Sequence, residues 1–367
     1  MPGTLDGMHH DPPQWPAAQS DTAQSDTPQS GTGQPDAAQP DAAQRLASES
    51  DPGGQESPAK ELDTRRPFPP GDLVAAGLDR RLVRQARFTQ IFRGVYVEAS
   101  VPITADIRAA AILALFDRTA FVSHTTAARL RGIPVPTLPT EHVSVLDAHH
   151  RRQREGIQCH VTGTADIDTV RRLRVSAPEQ LFVELASLLD LVDLVVVGDH
   201  LVSKGLTTPT RLAARCRKLP GAPGRLARRA ARFVRKGVES PMETRLGMLL
   251  VLAGLPEPDI NSTFRADPDG QARRYDLSWP AVNVIAEYDG RHHIEREEQW
   301  EADLSRREGI DDDGWRILVV TSRGIYKEPE LTVVRVWRLL RARGLAGVPS
   351  RLSEAWRPHF PGQPGSS

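Results

Sequence analysis

Asp276, Glu287 and Asp289 fall close together in the run Arg274-Tyr-Asp-Leu-Ser-Trp-Pro-Ala-Val-Asn-Val-Ile-Ala-Glu-Tyr-Asp-Gly-Arg-His-His293, and two histidines follow at once. Carboxylate oxygens at this density suit hydrolysis supported by a hard divalent cation. Residues 282–288 are almost all apolar, which predicts a buried strand, with Pro280 and its neighbours making the turn of a hairpin. Alternation then puts Ile285, Glu287 and Asp289 on one face and Val284, Ala286 and Tyr288 on the other. A carboxylate inside so apolar a strand is costly unless its charge is compensated. Mg²⁺, or Mn²⁺ in its place, is the economical compensator.

Further candidates flank this hairpin. His293 is the candidate base, because imidazole exchanges protons near neutrality. Glu243 stands three residues after Ser240 with Pro241 between them, so it reads either as half of a capping box or as a metal-side acid. Asp289 has an ordinary alternative as the residue that starts the turn at Gly290. Arg296 and Asp303 share one face of a charged helix expected over Ile294 to Gly309. There they form a charge network, or Arg296 grips a phosphate.

The remaining chain must position these groups. At 367 residues it is long enough for several domains. Formal net charge is zero, yet residues 1–60 hold nine acidic and two basic side chains, which leaves +7 on the rest. Ten Lys or Arg and no acid lie between Arg211 and Lys236. This block is a candidate phosphate-facing surface, Arg228 and Arg232 among its members, or else a solvated helix face. Two cysteines, Cys159 and Cys216, build neither a disulfide framework nor a zinc knuckle. The most apolar run, Leu188 to Val197, is interrupted by Asp190 and Asp193 and is too short for a membrane span. With no signal-peptide core at the N-terminus, the expectation is a cytoplasmic protein without a membrane partner.

Residues 1–64 repeat glutamine every five positions from Gln14 to Gln44 among Ser, Asp, Thr, Ala and Pro, and are expected to be a disordered tail. Order begins near Pro67. Two short helical pieces over Gly71 to Ala86 precede a hairpin, Phe88 to Val97, with Arg93-Gly94 at its tip. Helix, basic helix and β-wing over 65–100 is the pattern of a winged helix-turn-helix, in which Arg80, Arg81, Arg84 and Arg93 face DNA. Residues 101–236 read as a mixed α/β middle domain with a basic helical linker. It contains helices at Ala105 to Phe116 and Val122 to Ile133 and strands at His142 to Leu146 and Ile157 to Val161. A further helix is expected to be capped by Ser176, with Pro178 in its first turn. Residues 237–345 read as helix, hairpin, helix, strand, helix, and 346–367 as a tail.

Two resemblances follow from these motifs. The Arg-Gly-Val-Tyr wing, the Ser-His-Thr-Thr-Ala-Ala helix and the Ser-Ala-Pro-Glu-Gln helix, over roughly 68–205, resemble AbiEi-like type IV antitoxins, which are winged-helix transcriptional regulators. Several features over about 237–345 resemble the Vsr-like branch of the PD-(D/E)XK nucleases. They are Glu243, the Asp276 strand, the Glu287-Tyr-Asp-Gly290 turn, His293, the Arg296…Asp303…Arg306 spacing and the Gly314-Trp-Arg-Ile-Leu-Val strand. The expected fold is therefore α/β and multi-domain, ending in a restriction-endonuclease-like core. The resemblance implies that Asp276 and Glu287 bind Mg²⁺ and that cleavage leaves a 5′-phosphate and a 3′-hydroxyl. The superfamily's lysine would sit two residues after Glu287, where this chain has Asp289, so His293 is the candidate substitute. A DNA-binding regulator or antitoxin with an inactive nuclease-like domain is the alternative. DNA is then the expected partner, with a cognate toxin or a second copy of the chain as further candidates.

Overall fold

The computed structural model describes residues 62–265, 272–290 and 314–362. Among them the chain is mixed α/β with three sheets, of two, five and four strands. The repeat of residues 1–60, His293, Arg296 and the helix expected over Ile294 to Gly309 lie outside the described residues.

The first unit begins with α1 (Pro70–Ala75) and continues into the hairpin β1 (Phe88–Phe92) and β2 (Val95–Glu98). Gly94 at its tip has φ 87°, a left-handed conformation that glycine adopts without a steric penalty. Phe68 bridges to Tyr96 and meets the Phe88 ring edge-on at 5.5 Å, seating the hairpin on the preceding segment. The basic helix expected here differs in the structure: Arg80–Arg84 is a five-residue 3₁₀ turn. Asp79 caps it by accepting from Arg81 N at 2.8 Å, and Gln85 returns to extended backbone. A 3₁₀ run rarely extends further, because its hydrogen bonds are poorly aligned.

The five-stranded sheet is built from β3 (Phe121–Val122), β4 (Glu141–Val145), β5 (Ile157–Val161), β6 (Ile167–Val170) and β7 (Leu173–Ser176). Their order is β5-β4-β3-β7-β6, with β4–β5 and β3–β7 parallel. Helices α2 (Ala105–Leu113), α3 (His124–Leu130) and α4 (Pro178–Leu185) pack in succession, with α3 also against β4. Thr104 caps α2 through Ile107 N. Ser176 does not cap α4, contrary to the expectation from sequence. Ala177 holds that position, while Ser176 closes β7 and donates its buried hydroxyl to Glu184 at 2.6 Å. A buried hydroxyl satisfied by a carboxylate is worth more than a solvated cap.

Helices α5 (Leu191–Ser203), α6 (Pro209–Cys216) and α7 (Gly221–Ala231) follow, the last two carrying the basic block. Nine of the thirteen residues of α5 are buried, so it is covered on nearly every side, as expected of a helix apolar almost all round. It packs against α7 and against α8 (Pro241–Leu252), which belongs to the C-terminal part.

The C-terminal sheet comprises β8 (Asp259–Arg265), β9 (Ala272–Trp279), β10 (Val284–Tyr288) and β11 (Arg316–Val320), in the order β11-β10-β9-β8. β11 runs parallel to β10 and the other pairs are antiparallel. Pro280–Val282 forms the 3₁₀ turn of the hairpin, and Asn283 completes it at φ 51°. α9 (Ser322–Tyr326) and α10 (Pro329–Ala342) pack on α8, and both α8 and α10 touch β10. Residues 346–362 are no loose tail. Trp356 and Phe360 are buried in the same hydrophobic cluster that reaches back to Phe92, and Ser353 N donates to Ala253 O at 2.9 Å. Among the described residues no helix is long and apolar enough to cross a membrane.

Candidate functional site

The carboxylates are seated by strand register. β9 and β10 pair Ser278 with Ile285 and Leu277 with Ala286, and the paired register ends there, one position short of Asp276 and Glu287. Asp276 Oδ2 accepts from Tyr288 N at 2.8 Å, which fixes the aspartate at the strand junction beside Glu287. Asp289 continues the parallel pairing by donating its backbone N–H to Val320 O at 2.9 Å. All three acids are half-buried. The expected alternation along β10 holds for its apolar members. Val284 and Ala286 enter the main core, while Ile285 joins a small cluster with Tyr275, Trp315 and Ile317.

Across the other edge of β9, the ladder skips one position between the pairs Ile260–Leu277 and Ser262–Tyr275. The residue of β8 at that gap, opposite Asp276, is Asn261, with φ 49°. Asparagine tolerates this left-handed backbone better than most residues. Its amide donates to Gly237 O and to Glu243 Oε2, the latter at 3.1 Å. Glu243 is thereby committed locally. Its N–H donates to the Ser240 hydroxyl at 3.2 Å, and its carboxylate accepts from Glu239 N at 3.0 Å. This is a capping box displaced by one residue. It ties the start of α8 to β8, so Glu243 serves as a brace one residue behind the Asp276–Glu287 pair.

The basic residues divide into two groups. Arg80, Arg81, Arg84 and Arg93 are exposed on the N-terminal unit, and Arg232 is exposed after α7. Arg228 is not available in the same way, because its guanidinium donates to Leu219 O and closes the α6–α7 connection. Arg211 pairs with Glu179 at 2.8 Å, and Arg215 donates to Gln180 Oε1 at 2.6 Å. Arg211, Arg215 and Arg228 thus make bonds within the fold, while Arg217, Lys218, Arg225, Arg229 and Lys236 remain exposed beside Arg232.

A second constellation was not foreseen from sequence. His124 at the start of α3, His142 on β4 and His160 on β5 converge with one nitrogen each within 4.8 Å of the others. Among the described residues this is the single group of three or more His, Cys, Asp or Glu that meets so closely. The register pairs Ser144 with His160 and His142 with Gln158, so His142, Ser144 and His160 share one face of the β4–β5 pair. The His124 and His160 rings stack with centroids 3.8 Å apart, and His142 Nδ1 lies 2.9 Å from His160 Nε2. His142 Nε2 is buried with no hydrogen-bond partner.

Surrounding groups hold this arrangement. His124 has φ 49°, and its backbone N–H donates to Glu184 Oε2 at 3.1 Å. Its Nδ1 lies 3.0 Å from the Ser123 hydroxyl, which accepts in turn from Ser144 at 2.8 Å. His142 N donates to Thr126 Oγ1, whose hydroxyl donates to Glu141, itself bound by Arg108 and Arg129. Burial pushes His124 down to about 2 and His142 down to about 4, and lowers His160 as well; neighbouring positive charge adds to each shift. Burial likewise raises Glu184 against the pull of its hydroxyl and amide donors. The three imidazoles are neutral at physiological pH, which is the metal-binding form.

No protein-family model matches the chain. It is 24% identical over 267 residues to the uncharacterised proteins MT2308 and Rv2248, from two strains of Mycobacterium tuberculosis. The match covers 72% of this chain and 97% of each relative.

Proposed function

We propose that the chain is a Mg²⁺- or Mn²⁺-dependent DNA endonuclease that hydrolyses phosphodiester bonds. The observation that carries this reading is the hydrogen bond from Tyr288 N to Asp276, which draws that aspartate of β9 to the end of β10 that bears Glu287. In this reading the C-terminal part is a Vsr-like PD-(D/E)XK domain, and the residues before it form an AbiEi-like winged-helix and mixed α/β front end.

The donor chemistry fits a hard cation, because both groups offer carboxylate oxygens. Asp276 and Glu287 would hold the ion and Asp289 would widen the same oxygen-rich edge. A bound divalent ion would supply Lewis-acid stabilisation of the scissile phosphate and a more acidic water. His293 takes the proton from the attacking water, the role left open by the aspartate at position 289. Glu243 acts through Asn261 by fixing β8 against the start of α8. Arg80, Arg81, Arg84 and Arg93, with Arg232 and Arg296, grip the DNA backbone and contribute affinity that falls with salt. Any place in DNA repair or phage defence rests on the resemblance alone.

A second reading is favoured by Asp289 itself. Without the superfamily's lysine, the same sheet serves as a binding surface of a DNA-binding regulator or antitoxin. Nicking of supercoiled plasmid with Mg²⁺ or Mn²⁺ separates the two. Metal-dependent nicking that is lost in Glu287→Ala and in Asp276→Ala supports the nuclease. DNA retention without cleavage, unaltered by either substitution, rejects it in favour of the regulator.

A further inference from the structure

We propose that His124, His142 and His160 form a binding site for a transition-metal ion of the zinc class, separate from the C-terminal carboxylates. Imidazole nitrogen suits zinc, cobalt, nickel and copper, whereas magnesium prefers oxygen, so the two sites would select different ions. The geometry is close to what such an ion requires. Nitrogens bound at roughly 2.0–2.1 Å around a tetrahedral ion stand roughly 3.3 Å apart. His142 Nδ1 and His160 Nε2 are 2.9 Å apart, and the nitrogens of all three rings already lie within 4.8 Å of one another.

Two further observations point to a ligand. His142 Nε2 is buried with no partner, an arrangement that is unfavourable for a polar atom. Ligation through Nε2 gives that orphaned atom a partner, with Nδ1 then left to His160. The surroundings also resemble the outer layer of a metal site, in which each ring is oriented by a hydrogen bond. Ser123 holds His124 Nδ1, with Ser144 behind it, and Glu184 holds the His124 backbone in its left-handed turn. Three nitrogen donors leave a fourth position for water. Entry is from the His160 side, where that ring is half-buried and Gln158 on the same face of β5 is exposed.

The test uses the full chain stripped with EDTA and titrated with Co²⁺, whose visible ligand-field absorption reports nitrogen coordination, followed by displacement with Zn²⁺. One equivalent of Co²⁺ is expected, displaced by Zn²⁺ and unaffected by millimolar Mg²⁺. His142→Ala and His160→Gln should each lower affinity at least tenfold, and Ser123→Ala by about tenfold through loss of ring orientation. His160→Gln is the safer variant, because its half-buried side chain can be replaced without opening the core; circular dichroism checks its fold. Glu287→Ala and the His292→Ala/His293→Ala double variant should leave the signal intact. No absorption band in the wild type, or a band unchanged by His142→Ala and His160→Gln, overturns the proposal. A band lost in Glu287→Ala or in the His292/His293 variant overturns it as well, by moving the ion to the C-terminal sheet.

Discussion

Asp199 offers a direct test of how burial sets stability in this chain. It is 2% exposed on α5, where it accepts from Arg235 N at 2.7 Å and from the Thr244 hydroxyl at 2.8 Å. Burial outweighs these donors and raises its carboxyl from 3.8 to about 7. The folded state therefore holds a proton that the unfolded state releases at lower pH. Stabilisation from this group is complete below the unfolded value and is lost as pH rises through about 7. A rise of about 3 units at 1.36 kcal/mol each corresponds to roughly 4 kcal/mol across that window. Asp199→Asn keeps an acceptor for Arg235 N and cannot ionise. Urea unfolding followed by tryptophan fluorescence, at several pH values from about 4 to about 8, compares the two proteins. The wild type should lose stability relative to the variant as pH rises, with the difference levelling above pH 7. Parallel curves for the two proteins would refute the assignment of a buried, protonated carboxyl.

Gly198, one residue earlier on α5, has no room for a side chain: a Cβ there would stand 2.4 Å from Val234 Cγ2 and 3.0 Å from the Phe182 ring. Gly198→Ala should destabilise by about 1–3 kcal/mol despite its better helix propensity. Val234→Ala should recover part of that loss in a double-mutant cycle, and strict additivity would show that the contact is not the cause. At the other end of the chain, Trp356→Ala should cost about 3–5 kcal/mol in denaturant unfolding. A change below about 0.5 kcal/mol would mean that residues 346–362 are not part of the core.

Local rules read part of the sheets: β3, β6, β7 and β8 were not legible, and Val122, expected to open a helix, lies in β3. β5 occupies the expected Ile157 to Val161, and the Pro280 turn and the apolar β10 follow from residue type and alternation. The exposed basic turn at Arg80–Arg84 was visible as composition but not as geometry, because the Asp79 cap and the extended Gln85 decide its pitch. Ser176 misled because its sequence neighbours match a capping pattern, while its hydroxyl is claimed by Glu184, two turns along the same helix. The histidine group carried no signal at all. His124, His142 and His160 are far apart in sequence and belong to no motif, and only the parallel β4–β5 pairing and the start of α3 gather them. Arg228 looked like its neighbours in the basic block until the backbone carbonyl it closes could be seen.

Helix α5 gives the chain a fixed span. Asp190 at its start holds His359, Asp193 in its first turn pairs with the buried Arg245, and Asp199 farther along ties Thr244 and Arg235. Three tethers along one apolar rod leave little freedom for the C-terminal sheet to swing against the five-stranded one. If the chain is the nuclease proposed above, a DNA strand gripped by the exposed arginines of the front end and reaching Asp276 and Glu287 would be measured against a ruler. The position of any cut would be set by distance from the grip, and lengthening the Gly237 segment would not let it wander while those tethers hold.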